Sequence, residues 1–143
     1  MLTISRRLPA GLSFPHDFGA IPGTRAEDGD ALDAMVLGLE PCVAGCLVTT
    51  RLIGVLYAEQ VESGRRLQND RLIACGETPV NRARFHELAQ VPEECVRAIE
   101  IFFETYNRAA GREFRFTGRG DRRAAEAALA KALSAAAQRR PGA

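Results

Sequence analysis

The sequence predicts a mainly β chain, a small barrel with two helices set late, and three observations lead there. Short runs rich in Val, Leu, Ile and Thr fill the first half, glycine and proline punctuate them, and the apolar period lengthens to a helical one only after Pro92. The 143 residues match one domain with a real core, so residues 1–143 are expected to fold as a single unit with a frayed tail from about residue 139.

Taken in order, Leu2 to Leu8 alternates as an extended segment, and Pro9, Gly11, Pro15, Gly19, Pro22 and Gly23 mark the loop that follows. Ala34 to Leu39 and Cys46 to Ala58 read as strands separated by turn signals at Pro41 and Gly45. Glu62 to Asn69 reads as a break, and Arg71 to Cys75 as a short strand closed by Gly76 and Pro79. Asn81 to Glu87 is a polar loop. Cys95, Val96, Ile99, Phe102, Phe103 and Tyr106 then recur at helical spacing, with Pro92 early, where proline is tolerated. Glu113 to Thr117 alternates as a strand, and Asp121 caps an alanine-rich helix running to about Gln138.

Composition narrows the function classes. The formal net charge is +1, so no global field draws nucleic acid or an anionic membrane. No stretch approaches the roughly 18 apolar residues of a membrane span, and MLTISRR lacks a signal-peptide core, so the expected location is cytoplasmic with no membrane partner. Cys42, Cys46, Cys75 and Cys95 have no paired CxxC and read as buried thiols in a reducing compartment; Cys42 and Cys46 can pair on oxidation. His16 and His86 have no second ligand at metal spacing and read as surface residues. Six arginines lie between Arg108 and Arg123, either a solvated face or a patch reaching toward a site mouth. Nucleic-acid binding rests on nothing more than that stretch and analogy with other small barrels, and is not expected, because aromatics are only 6% and no stacking platform is evident.

The most informative cluster is AEDGDALDAMVL, Ala26 to Leu37, which sets Glu27, Asp28, Asp30 and Asp33 within seven residues. On spacing alone the commoner reading is a solvated acidic turn. The sharper one is a cation site, since closely spaced carboxylates repel unless neutralised and hard oxygens suit Mg²⁺, which keeps several waters and shares its shell with phosphates. An EF-hand does not fit: counted from Asp28, the sixth position is Asp33 rather than glycine and the twelfth is Leu39 rather than glutamate.

Around that cluster, FPHDFGAIPGTRAEDGDALDAMVL (Phe14 to Leu37), then GCLVTTRLIGVL (Gly45 to Leu56), NDRLIA (Asn69 to Ala74) and IFFETYN (Ile101 to Asn107) resemble, in order, the soluble family I inorganic pyrophosphatases. The resemblance covers roughly Arg6 to Gly118. It implies a five-stranded OB-like closed barrel flanked by two α-helices, a substrate of inorganic pyrophosphate split to two phosphates, and Mg²⁺, Mn²⁺ or another divalent ion as cofactor. Residue by residue it implies Asp28 and Asp33 as metal ligands and Asp30 as base for the nucleophilic water. Arg6, Arg71 and Tyr106 match phosphate-binding positions; by themselves, the two arginines read equally as solvated strand charges and Tyr106 as core packing.

The chain departs from the family pattern in places. Phe14 and Phe18 stand where tyrosines are usual, Asn107 where lysine is familiar, and Asn69 where a metal aspartate is expected, so Asn69 offers a neutral oxygen or Asp70 takes over after a small backbone shift. Glu59 or Glu62 replaces the acid of the preceding loop. Relatives carry a further amino-terminal segment bearing a lysine and glutamates; its absence implies a barrel incomplete at that end, one closed by another subunit, or an internal start at Met1, with weakened turnover and a homo-oligomer as expected consequences. The alternative function is a catalytically impaired protein of this fold that binds metal or phosphate without turnover.

Overall fold

Strand β3 (Thr50–Glu62), thirteen residues long, organises the sheet in the computed structural model, which describes residues 7–78 and 84–138. One edge of β3 pairs antiparallel first with β5 (Arg71–Gly76), from Thr50 opposite Gly76 to Leu56 opposite Arg71. It then pairs with β4 (Arg65–Gln68), from Glu59 opposite Gln68 to Glu62 opposite Arg65. The other edge takes β6 (Glu113–Gly120) antiparallel from Val55 to Val61. β5 continues the sheet in parallel with β2 (Asp33–Leu37), and β2 pairs antiparallel with β1 (Asp17–Ala20). Ser63 and Gly64 close the β3–β4 hairpin with φ of 51° and 74°, the two left-handed residues whose twist matches right-handed strands.

Alternation along the strands divides the interior between two helices. Met35 and Leu37 of β2 and Ile73 and Cys75 of β5 join Val96, Ile99 and Phe103 of α1 (Glu93–Ala109) in the larger core. Ala34 and Leu72, one position along, face Ala125 and Ala132 of α2 (Arg122–Ala137) on the opposite side. Small residues on α2 permit that close approach, and Asp121 starts the helix by accepting a hydrogen bond from the Ala124 amide at 2.9 Å. Gly54 is required where β3 bulges: a Cβ there would lie 2.6 Å from Leu88 Cβ and 2.9 Å from the Gly120 carbonyl oxygen.

Mainly β with two helices is therefore the architecture, but three expectations change. Among the described residues the sheet has six strands rather than five, because β1 and β4 form in segments whose glycine, proline and arginine content reads as loop and break. β3 starts at Thr50 rather than Cys46 and runs on to Glu62; Leu47, 87% exposed, has no face to pack against, and Cys42 and Cys46 on the same stretch are exposed rather than buried. The closed barrel is replaced by an open path from β1 to β6 among the described residues. Its ends do not meet in a ladder because β1 is four residues long between Pro15 and Pro22, which lack N–H donors, and the chain leaves β6 directly into α2. The strand expected at Leu2 to Leu8 lies mostly outside the described residues, with Arg7 and Leu8 not in a strand, and the tail from 139 lies outside them entirely.

Candidate active site

The curl of the sheet and the carboxyl half of α1 enclose a cavity of about 680 Å³, and Asp28, Asp30, Asp33, Glu62, Asn69, Arg71 and Tyr106 all line it. The acidic wall is built by a clasped loop. Thr24 Oγ1 donates to the Ile21 carbonyl at 2.6 Å and accepts from the Leu32 amide at 2.9 Å, while the Ile21 amide donates to the Leu32 carbonyl at 2.9 Å, so the loop's ends are fixed side by side. Its tip is tightened by the Ala26 amide on the Asp30 carbonyl at 2.7 Å and by the Asp30 amide on Asp28 Oδ1 at 3.0 Å. Gly29, at φ 92°, supplies the reversal between the two aspartates. Both are exposed and stand on the same cavity.

Asp33 is the first residue of β2, and the parallel register that sets Ala34 beside Leu72 brings it alongside Arg71 of β5. Asp33 Oδ2 accepts from Arg71 Nη1 at 2.8 Å, and Asn69 Oδ1 accepts from the same nitrogen at 2.6 Å. Asn69 Nδ2 donates to Gln60 Oε1 at 2.7 Å, and Gln60 Nε2 to Glu62 Oε2 at 3.1 Å. One hydrogen-bonded chain thus runs from Asp33 to Glu62 along the cavity wall. Arg71 is 7% exposed, and its guanidinium carbon lies 5.0, 5.6 and 5.8 Å from the ring centres of Phe103, Phe114 and Phe18. Burial pulls its pKa below the ordinary arginine value against the opposing pull of Asp33, and the group remains a cation across physiological pH. Its Nε is buried with no acceptor.

Two expected candidates stand elsewhere. Asp70 faces away: Oδ1 accepts from the Ala58 amide at 3.0 Å and from Gln68 Nε2 at 2.6 Å, and the residue lines a neighbouring cavity. Because strand neighbours point to opposite faces, substituting it for Asn69 would need a full register slip rather than a small shift. Glu59 is drawn into ion pairs with Arg115 at 3.1 Å and Arg66 at 3.8 Å outside the cavity, which leaves Glu62 as the acid of that hairpin at the site. Arg6 lies outside the described residues. Tyr106 lines the cavity while its ring stacks parallel to Phe102 at 6.2 Å and carries the Arg112 guanidinium at 5.6 Å, so packing and site lining coexist.

Sequence reasoning missed Gln60, 9% exposed and facing the cavity from β3. A polar residue two positions beyond Ala58 on an inward face was the available signal. Arg112 is the one member of the Arg108–Arg123 group to line this cavity, steered there by its Nε on Asn107 Oδ1 at 3.1 Å. Arg119 instead joins β6 to α1 through Glu93 and Glu100.

Among the described residues, four carboxylates against two guanidiniums give the cavity an acidic balance that favours cations first and anions with them. Among the described residues no three acidic, histidine or cysteine side chains converge tightly enough to enclose a metal by themselves. The donor chemistry nonetheless suits a hard divalent ion, which binds through one or two carboxylates and completes its shell with water and phosphate oxygens.

The chain is similar to known proteins over most of its length. The family profile described as inorganic pyrophosphatase matches residues 1–137. An inorganic pyrophosphatase of Thermus thermophilus is 34% identical over 127 residues, covering 87% of this chain and 70% of that protein. A soluble inorganic pyrophosphatase of Oryza sativa subsp. indica is 32% identical over 114 residues, and there the chain spans only 51% of the relative's length. The solved inorganic pyrophosphatase of Helicobacter pylori superposes with a TM-score of 0.86 at 28% identity, over 96% of this chain and 80% of that one.

Proposed function

From the premise that this chain belongs to the inorganic pyrophosphatase family, we propose that its cavity hydrolyses inorganic pyrophosphate to two phosphates. The observation that carries the reading is the meeting of Asp28, Asp30 and Asp33 with Arg71 and Tyr106 on one cavity. Asp28 and Asp33 hold the divalent ion, Mg²⁺ first and Mn²⁺ or another ion as substitutes, with Glu62 available at the rim. When bound, that ion neutralises phosphate charge and acidifies water. Asp30, exposed and without a cationic side-chain partner among the hydrogen bonds and ion pairs described above, accepts the proton of the attacking water. Oxygen of that water bonds to one phosphorus, the bridging P–O bond breaks, and the leaving phosphate departs with the electron pair. Arg71, Tyr106 and Arg112 bind and orient the phosphates, and Arg6 joins them. Asn69 serves by fixing Arg71 through its amide oxygen.

The same geometry favours a second reading. Arg71 already occupies Asp33, and Asn69 supplies no charge, features that suit a protein binding metal or phosphate without turnover. Phosphate release from pyrophosphate across Mg²⁺, Mn²⁺, Co²⁺ and Zn²⁺ at neutral to alkaline pH decides between them. Absence of release with every ion, together with calorimetric binding of pyrophosphate, establishes the second reading and removes the first.

The chain works as one domain in the cytoplasm, as a homo-oligomer, with pyrophosphate rather than nucleic acid or membrane as partner. No described helix is long and apolar enough to cross a membrane. Val43, Leu47 and Val48 stand exposed beside β1, whose outer edge is unpaired among the described residues. Light scattering that returns a monodisperse monomer refutes the oligomer.

A further inference from the structure

We propose that Cys42 and Cys46 form a reversible dithiol–disulfide site, oxidised by small disulfides to a bridge that closes the turn between them beside β1. The inference goes beyond the pyrophosphatase reading and does not depend on it.

Three observations place the pair. Both cysteines lie in the segment between β2 and β3 and are exposed, whereas Cys75 is buried and Cys95 half-buried. The chain between them is turned: the Cys46 amide donates to the Val43 carbonyl at 3.3 Å, and Gly45, at φ 95°, supplies the left-handed residue. A turn of this kind keeps its ends within about 7 Å, so the chain doubles back between the two sulfurs and carries residues 42 and 46 toward each other. The upstream arm is also anchored, because the Cys42 amide donates to Asp17 Oδ2 at 3.0 Å and ties the loop to the first residue of β1. That tie lies one residue from Phe18, which lines the cavity. Among the described residues no three cysteine, histidine or acidic side chains are placed to hold a metal, so the pair suits redox chemistry rather than coordination.

The surroundings of Cys42 order the reaction. Lost hydration, the hydrogen bond and charge of Asp17 and the nearby Cys46 hold the Cys42 thiol above its ordinary pKa, so Cys42 is kept protonated. Cys46 therefore attacks first, since the thiolate is the nucleophile. Its sulfur bonds to one sulfur of the small disulfide, the S–S bond breaks, and one small thiol leaves. Cys42 then attacks the Cys46 sulfur of this mixed disulfide, the protein S–S bond forms, and the second small thiol leaves. The two protein thiols give up two electrons to the small disulfide, and their protons end on the two released thiols.

The test uses the full folded chain with oxidised glutathione as the probe. Trypsin releases Cys42 and Cys46 together in the fragment Ala26–Arg51, which has no internal arginine or lysine, while Cys75 and Cys95 fall in other fragments. After oxidation that fragment should be lighter by two hydrogens, carry no glutathione, and regain its first mass with dithiothreitol, and Cys75 should stay reduced. Cys42→Ser should trap glutathione on Cys46, and Cys46→Ser should leave Cys42 slow to take it up. Gly45→Ala should lower the equilibrium constant for bridge closure about tenfold, because the turn then needs a side chain in the left-handed region. Ala44→Ser, a neighbouring surface change, should alter it by less than about twofold. Glutathione left on both cysteines of the parent chain, a fragment of unchanged mass, or bridges between chains on a non-reducing gel overturn the proposal. Equal closure in Gly45→Ala and the parent chain also overturns it, since the turn would then have no part in bringing the sulfurs together.

Discussion

Phe103 of α1 lies beneath Arg71 of β5, its ring centre 5.0 Å from the guanidinium carbon, so the buried charge of the cavity rests on the hydrophobic core itself. Phe103 is 1% exposed and also meets Phe18 edge-on at 5.4 Å. On the proposed reading of the cavity, stability and substrate binding are thereby joined in one side chain. Phe103→Leu should keep the core filled at a cost of about 1.5 kcal/mol while losing a cation–π contact of about 1 kcal/mol. Denaturant titration reads the first, and a KM for pyrophosphate raised about fivefold reads the second. A variant that loses stability with KM unchanged shows the ring to be packing alone.

The three aspartates of the loop should divide their labour. Asp30→Asn is expected to lower turnover by about a hundredfold or more, the usual worth of a positioned base, and to leave Mn²⁺ affinity nearly unchanged. Asp28→Asn and Asp33→Asn should weaken Mn²⁺ binding first. Metal titrations of the three variants give the answer, and equal losses of affinity in all three refute the division.

Acid should loosen α1 from β6. Burial pushes the Glu100 carboxyl up, but hydrogen bonds from Arg119 at 2.8 Å and Arg97 at 3.1 Å outweigh it and hold the pKa below the ordinary glutamate value. A depressed carboxylate pKa contributes stability that is complete above the unfolded value of about 4.3 and is lost as pH falls through the folded one. Glu100→Gln should therefore cost about 2 kcal/mol at neutral pH, as hydrogen bonds to a charged group do. It should also flatten the decline in unfolding free energy between about pH 5 and pH 3. A parallel decline in both proteins rules Glu100 out as its source.

Gly54→Ala should destabilise by about 2 kcal/mol, the ordinary cost of overpacking, because the added carbon meets the Gly120 carbonyl, which is backbone and cannot swing aside. Thermal denaturation measures it. Gly118→Ala is the comparison, since its added carbon lies 3.7 Å from the Tyr57 ring, an ordinary contact, and the same loss there would discredit the steric account.

The acidic loop was legible because its chemistry is local: Asp28, Asp30 and Asp33 reach one cavity through a turn whose residues are adjacent in sequence. Both helices were legible for a similar reason, periodicity and the Asp121 cap being short-range signals. The ladder from Arg71 through Asn69 to Gln60 was not, since Gln60 meets Asn69 only when β3 and β4 pair, and no spacing in the sequence encodes that register. β1 escaped because Gly19 is written like a loop residue, and β4 because both faces of Arg65–Gln68 are largely wet and leave no apolar stripe. Closure of the barrel is not confirmed: β6 spends one edge on β3 and meets no partner on the other among the described residues.

The carboxylate of Asp70 caps the Ala58 amide where β5 gives way to β4, and this small joint constrains how the gene can change length. Asn69 and Arg71 reach the cavity only because an odd residue separates them and points outward. A codon gained or lost between Gln68 and Arg71 exchanges the two faces, turning the guanidinium out to solvent and a carboxylate onto the aromatic rings, whereas the Ser63–Gly64 turn can lengthen with no effect on which face is which. Insertions among natural variants of this chain should accordingly collect at the hairpin tip and be missing from the three positions that end at Arg71.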